Sequence, residues 1–172
     1  MSNEPFAEKL LLHELRRRNL TFAAAESCTG GLIAKRITDL SGASAVFRGG
    51  VVSYTNEVKR DVLGVPQELL DQYGAVSGPV AKAMAEGARR ITDADLAISV
   101  TGVAGPDRDD WNNEVGTVFI GLADGSGTSY TEFHFEGDRA AIRSLAASAA
   151  FLSLLQAVKK NDSDEQGENN HV

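Results

Sequence analysis

Apolar positions along this chain fall into two kinds of pattern, stripes at three-to-four spacing and short unbroken runs, and the two alternate. Phe6, Leu10, Leu11 and Leu15 share one stripe, which predicts an amphipathic helix over 5–18 with Pro5 in its first turn. The run over 20–25 is bounded by polar residues and reads as a buried strand. Helical periodicity resumes over 32–40, and a second strand is expected over 46–54. The Gly49-Gly50 pair inside that strand marks a bulge or a close backbone approach. Asn56 is placed to cap a short helix over 56–63, and Pro66 opens another that Gly74 stops. A longer helix over 79–91 leads into a third strand over 96–100. Strands over 116–123 and 130–135 flank Asp124-Gly125-Ser126-Gly127, a hairpin signal. Asp138 is suited to cap a last long helix, expected to stop near Lys159.

Helix and strand alternate first, and a hairpin and a helix follow. That order predicts an α/β fold, a single three-layer α/β/α domain with a mixed β-sheet over 1–160. Residues 161–172 are nearly free of apolar side chains and are expected to be a disordered acidic tail. Neither an internal repeat nor a linker divides the chain.

Composition narrows the function classes. The 172 residues suffice for one core, and at 6% aromatics that core rests on Val, Ile, Leu and Ala. A net charge of −7 argues against a nucleic-acid partner, which needs clustered Lys and Arg, but leaves room for one small phosphorylated ligand. With one cysteine, Cys28, no internal disulfide forms. The N-terminal stretch mixes charge with apolar residues, unlike a signal peptide. The apolar stretch 144–158 is shorter than a membrane span and carries serines. The expectation is a cytoplasmic protein with no membrane partner.

Chemistry is most concentrated at Glu26-Ser27-Cys28-Thr29-Gly30-Gly31, between a strand and a helix. A serine there is held rigidly at the carboxyl edge of a sheet, and free N–H groups of Thr29, Gly30 and Gly31 would point back toward it as an oxyanion hole. The same pattern also describes an ordinary helix cap. None of the histidines, His13, His134 and His171, has a catalytic context, so a Ser-His-Asp triad is not expected. The other base open to a serine is a neutral lysine. Lys59 lies just past a strand end, although its pattern alone is that of a solvated helix lysine. The Thr101–Pro106 loop offers backbone donors for a phosphate or carbonyl, and Arg139 and Arg143 open the last helix. No Cys or His pair has metal-ligand spacing, and no cofactor is expected.

Ala25-Glu26-Ser27-Cys28-Thr29-Gly30-Gly31 resembles the AESCTGG signature of the CinA C-terminal family. Gly50 through Lys59 is similar to that family's G-x-x-x-Y-x-N-x-x-K segment. Leu63-Gly64-Val65, Ser99 through Pro106, Val115-Gly116-Thr117-Val118 and Gly137-Asp138-Arg139 follow in the family's order, over about residues 5–159. The resemblance implies a stand-alone amidohydrolase of the competence/damage-inducible family. Its reaction would convert nicotinamide mononucleotide (NMN) and water to nicotinate mononucleotide and ammonia, a step of pyridine nucleotide salvage. Carried over, a Ser/Lys dyad makes Ser27 the nucleophile and Lys59 its base, with Tyr54 orienting the lysine or relaying a proton. Thr29, Gly30 and Gly31 would line the oxyanion hole, and Thr101, Gly102, Gly105 and Arg139 would help hold the nucleotide. Two departures stand out: no room for the N-terminal domain of longer members, and an individual acidic segment over 107–114 with Trp111.

Three other readings stay open at this point. Cys28 would serve as nucleophile if its thiol were acidified, the fold would act as a non-catalytic nucleotide-binding module, or the enzyme would hydrolyse small amides and esters generally. A homodimer is expected if an apolar helix stripe is left exposed.

Overall fold

The computed structural model describes residues 6–168, with side chains to residue 160. In chain order the elements are α1 (Phe6–Arg18), β1 (Phe22–Glu26), α2 (Leu32–Thr38), a 3-10 turn (Ala43–Ala45), β2 (Phe47–Val52), α3 (Asn56–Asp61) and α4 (Gln67–Tyr73). They continue with α5 (Gly78–Thr92), β3 (Leu96–Gly102), β4 (Thr117–Asp124), β5 (Gly127–His134) and α6 (Arg139–Glu168).

The strands form one five-stranded sheet in the order β2-β1-β3-β4-β5. β2, β1 and β3 run parallel, whereas β3–β4 and β4–β5 are antiparallel. The sheet is therefore mixed, and its two inner parallel strands, β1 and β3, are buried on both sides, while β2 is a half-exposed edge. β1 shows why its run lacks polar alternation. Phe22 and Ala24 enter one apolar cluster with Leu11, Ile33 and Phe151 from α1, α2 and α6. Ala23 and Ala25 enter another with Leu63, Leu70 and Met84 from the α3–α5 side. Helices thus cover both faces, as the alternation of elements predicts. Gly121 lets α5 lie close on β4, since a Cβ there would stand 2.3 Å from the Ala81 carbonyl oxygen.

Local differences from the expected elements have local causes. The Gly49-Gly50 reading holds: the β1–β2 register shifts between Phe22 and Ala23, and Gly49 has φ +141°. The cap of α3 is Thr55 rather than Asn56; its hydroxyl accepts the Val58 N–H at 3.4 Å. β5 starts earlier than expected because the hairpin is tight, with Asp124 paired to Gly127 and its carboxylate accepting the Ser126 and Gly127 amides. Asp138 does cap α6, accepting the Ala141 N–H at 2.8 Å. α6 runs past the expected stop near Lys159 to Glu168, while the part of the expected tail at 169–172 lies outside the described residues. α6 is long and apolar enough to cross a membrane by composition, but Ile142, Ala146, Ala150, Phe151, Leu154 and Val158 are buried in the core. It packs as a core helix.

The three parallel strands all deliver their carboxyl ends to one edge of the sheet, where the chain turns at residues 27–31, 53–55 and 103–106. The first turn of α6 reaches the same edge. In such sheets ligands bind outside the carboxyl ends.

Candidate active site

Ser27 extends β1 by one residue. Its N–H donates to the Val100 carbonyl at 2.9 Å, and the Ser53 N–H donates to the Glu26 carbonyl at 2.7 Å, so the strand end is held from both neighbours. Lys59 approaches from α3. Its Nζ donates to Ser27 Oγ at 3.1 Å and to the Ser53 carbonyl at 2.8 Å. The Thr55 cap fixes where α3 begins, and the Val65 N–H closes onto the Lys59 carbonyl, so the lysine stem is folded inward. It is not the solvated helix lysine its pattern describes: only 1% of Lys59 is exposed. Among the described residues no carboxylate pairs with it. Burial therefore pushes its ammonium down from 10.5 to about 8. About a tenth of such a lysine is neutral at pH 7, against about one in three thousand for an ordinary one. A neutral Nζ at that distance can accept the serine proton, which is the geometry a base needs on a nucleophile.

The turn after Ser27 is built differently from the expectation. Glu26 points its buried carboxylate at the start of α2, accepting N–H groups of Gly31 and Ile33 at 3.0 Å and of Ala34 at 2.9 Å. The Gly30 N–H donates to the Ser27 carbonyl at 3.0 Å. The amides of Gly30 and Gly31 are thus already engaged, the first by the Ser27 carbonyl in a tight turn and the second by the carboxylate that the donors of a helix's first turn attract. Of the three expected oxyanion donors, only the Thr29 amide has no acceptor among the described residues. Gly30 and Gly31 instead supply positive φ, +59° and +96°, which makes the turn possible.

Tyr54 also finds another partner. Its hydroxyl accepts Arg139 Nη2 at 2.8 Å, while Arg139 Nη1 donates to the Gly105 carbonyl at 2.5 Å. The tyrosine hydroxyl therefore bonds the arginine and not Lys59. The buried Thr101 hydroxyl donates to the Ala75 carbonyl at 2.7 Å. These groups surround a cleft of about 220 Å³, lined by Ser27, Tyr54, Lys59, Thr101, Gly102 and Arg139 among others. Gly105 takes part through its carbonyl bond to Arg139. Asn56 lines the cleft as well, which sequence reasoning missed by assigning it to a helix cap. Its place in the Y-x-N-x-x-K pattern was the available signal.

The chain matches the model of the CinA C-terminal domain over residues 4–158. The chain belongs to that family. The match takes in all five strands of the CinA domain described above, together with Ser27, Tyr54, Lys59, Thr101 and Arg139. A CinA-like protein of Geobacter sulfurreducens is 55% identical over 135 residues, which is 78% of this chain and 33% of that protein. A putative competence-damage inducible protein of Acetivibrio thermocellus is 46% identical over 91% of this chain and 37% of its own length. The chain thus spans about a third of the curated relatives it matches. Among solved structures, a CinA superfamily protein from Klebsiella pneumoniae superposes with TM-score 0.89 at 29% identity, covering 92% of this chain and 99% of that one. The competence/damage inducible protein from Agrobacterium tumefaciens gives 0.84 at 38% identity with the same coverage.

Other candidates in this CinA domain fall away on geometry. Cys28 is buried, and burial pushes its thiol up to about 11, so it is protonated where Lys59 begins to lose its proton. His13 and His134 are exposed and do not line the cleft, and His171 lies outside the described residues. No three His, Cys, Asp or Glu side chains gather for a metal among the described residues. A larger hollow of about 640 Å³ lies at the opposite strand ends, by the β4–β5 turn, without a nucleophile–base pair. The segment 107–114 does border the cleft wall: Asn113 Nδ2 donates to the Val76 carbonyl at 3.4 Å, and the Trp111 ring covers Gly74. Asp109 braces it by accepting the Trp111 and Asn113 amides.

Proposed function

We propose that the protein is an amidohydrolase that deamidates nicotinamide mononucleotide, with Ser27 as nucleophile and Lys59 as its base. The observation that carries this reading is the buried, carboxylate-free Lys59 ammonium 3.1 Å from Ser27 Oγ. Neutral Lys59 takes the Ser27 proton as Oγ attacks the carboxamide carbon. The oxyanion that forms meets the Thr29 amide, and a donor of that kind is worth about 3–4 kcal/mol of barrier. Collapse expels ammonia, with the leaving nitrogen protonated by the Lys59 ammonium. The nicotinoyl ester on Ser27 is then attacked by water, whose proton Lys59 accepts, and nicotinate mononucleotide leaves.

Arg139 supports a phosphorylated substrate. It stands at the first position of α6, held by Tyr54 and Gly105, where a guanidinium and a helix N-terminus act together on an anion. In this reading Tyr54 positions Arg139.

The test is ammonia release from nicotinamide mononucleotide by the purified chain beside Ser27→Ala and Lys59→Ala. Loss in both folded variants is expected. Activity surviving Ser27→Ala overturns the mechanism, and an inactive parent that binds the nucleotide favours a binding module. Equal hydrolysis of nicotinamide riboside, which lacks the phosphate, would make it a general amidase.

A further inference from the structure

We propose that Arg143 is a positioning residue for the reaction: by gripping the turn after Ser27 from behind, it aims and polarises the Thr29 peptide N–H toward the oxyanion. The inference rests on the Ser27 reading above and adds a residue outside the cleft lining. Arg143 is half-buried on α6, one turn beyond Arg139. Its Nε donates to the Cys28 carbonyl at 3.0 Å and its Nη2 to the Thr29 carbonyl at 2.9 Å. The guanidinium lies close beside Gly30, where a Cβ would stand 3.1 Å from Nη2.

Planarity of the peptide carries the argument. In a trans peptide the C=O and N–H point in opposite directions. The Cys28 carbonyl and the Thr29 N–H belong to one peptide, so holding the carbonyl toward α6 turns the N–H away from α6. Arg143 comes from the helix layer containing α1, α2 and α6, whereas Lys59 comes from the layer on the other face of the sheet. An N–H directed away from Arg143 is directed to the side where Lys59 meets Ser27. The next peptide is pinned at both ends, with the Thr29 carbonyl on Arg143 and the Gly30 N–H on the Ser27 carbonyl. The Thr29 side chain does not hold this turn, since its buried hydroxyl has no partner among the described residues. A cation on the carbonyl oxygen also makes the N–H of the same peptide a stronger donor.

The test uses a fluorophosphonate on the intact chain. Ser27 Oγ bonds to phosphorus, the P–F bond breaks, fluoride leaves and the serine proton goes to Lys59. Labelling rates from pH 6 to 10 are compared for the parent, Arg143→Met and Arg143→Lys, beside thermal melting and kcat and KM for nicotinamide mononucleotide. Arg143→Met is expected to label about 10–100-fold more slowly, with its pH midpoint still near 8 and kcat reduced at unchanged KM. Arg143→Lys, which keeps the charge without the fork, is expected between the two. A folded Arg143→Met that labels at the parental rate, or a slowing that comes with a displaced midpoint, overturns the proposal. If Arg143→Met does not fold, parental labelling by Arg143→Lys overturns it. A parent that labels but releases no ammonia refutes the substrate assignment alone, and the variant rates still decide Arg143. A parent that does not label refutes the Ser27 reading and this proposal with it.

Discussion

Replacing Lys59 with methionine should make the protein more stable at neutral pH while abolishing its chemistry. Burial lowers the lysine from 10.5 to about 8. That gap corresponds to about 3 kcal/mol, at roughly 1.36 kcal/mol per pH unit. The folded state gives up this proton at lower pH than the unfolded chain. Between pH 8 and 10.5 the unfolded chain therefore binds more protons, so stability rises with pH across that window and is depressed below it. Methionine keeps an unbranched stem and removes the charge. It also leaves the Ser53 carbonyl without its Lys59 donor, which costs about 1 kcal/mol. The net gain at pH 7 is about 2 kcal/mol, or about 4–8 °C in melting temperature for a chain of this size. At pH 10.5 the advantage should vanish and turn into a loss of about 1 kcal/mol. Thermal melting of parent and Lys59→Met at pH 7 and 10.5, with ammonia release at each, measures this directly. A variant that melts at or below the parent at pH 7, or an offset that does not change with pH, would refute the reasoning.

The same lysine sets the expected pH profile of catalysis. Because the neutral form is the base, kcat/KM should climb about tenfold per unit below a midpoint of about 8 and level off above it; a flat profile, or a midpoint near 10.5, contradicts the assignment. Glu26→Gln would set an amide NH2 against the donors of α2 and remove the charge at its N-terminus, so a loss of about 2–4 kcal/mol is expected in denaturant unfolding. Unchanged unfolding would show that those three amides are satisfied by water.

What could be read from the chain and what could not divide along a physical line. β1 was legible because a short apolar run bounded by polar residues has few alternative uses; the build of the turn after it was not, since the same small-residue pattern also describes an ordinary helix cap. The layers followed from the order of elements. Lys59 was placed in the site by its resemblance to a motif, but its burial was not legible, since nothing in Asn56–Asp61 distinguishes an inward lysine from an outward one. The destination of the stem depends on where α3 starts, and its cap is Thr55, one residue before the Asn56 that the sequence pattern favours. The glycine amides were misjudged because their acceptors lie within the turn itself: the Ser27 carbonyl takes the Gly30 N–H and the Glu26 carboxylate takes that of Gly31. Arg139 and Arg143 were legible only as two cations opening the last helix; the placement of α6 shows the separate partners each takes, Tyr54 and Gly105 for one, the carbonyls of Cys28 and Thr29 for the other.

Both arginines come from α6, which follows every strand in the chain. During synthesis the sheet, the nucleophile and Lys59 all emerge before the helix that covers Ile98, Val100, Val118 and Ile120. At about 5–20 residues per second, α6 with its 30 residues takes roughly 2–6 s to be made. For that interval the nascent chain carries a serine and a lysine with neither the guanidinium beneath the turn nor the one beside the cleft. The packing of α6 then sets both guanidiniums in place in the same event that seals the core, so a ribosome-bound intermediate exposes apolar surface before its cleft is complete.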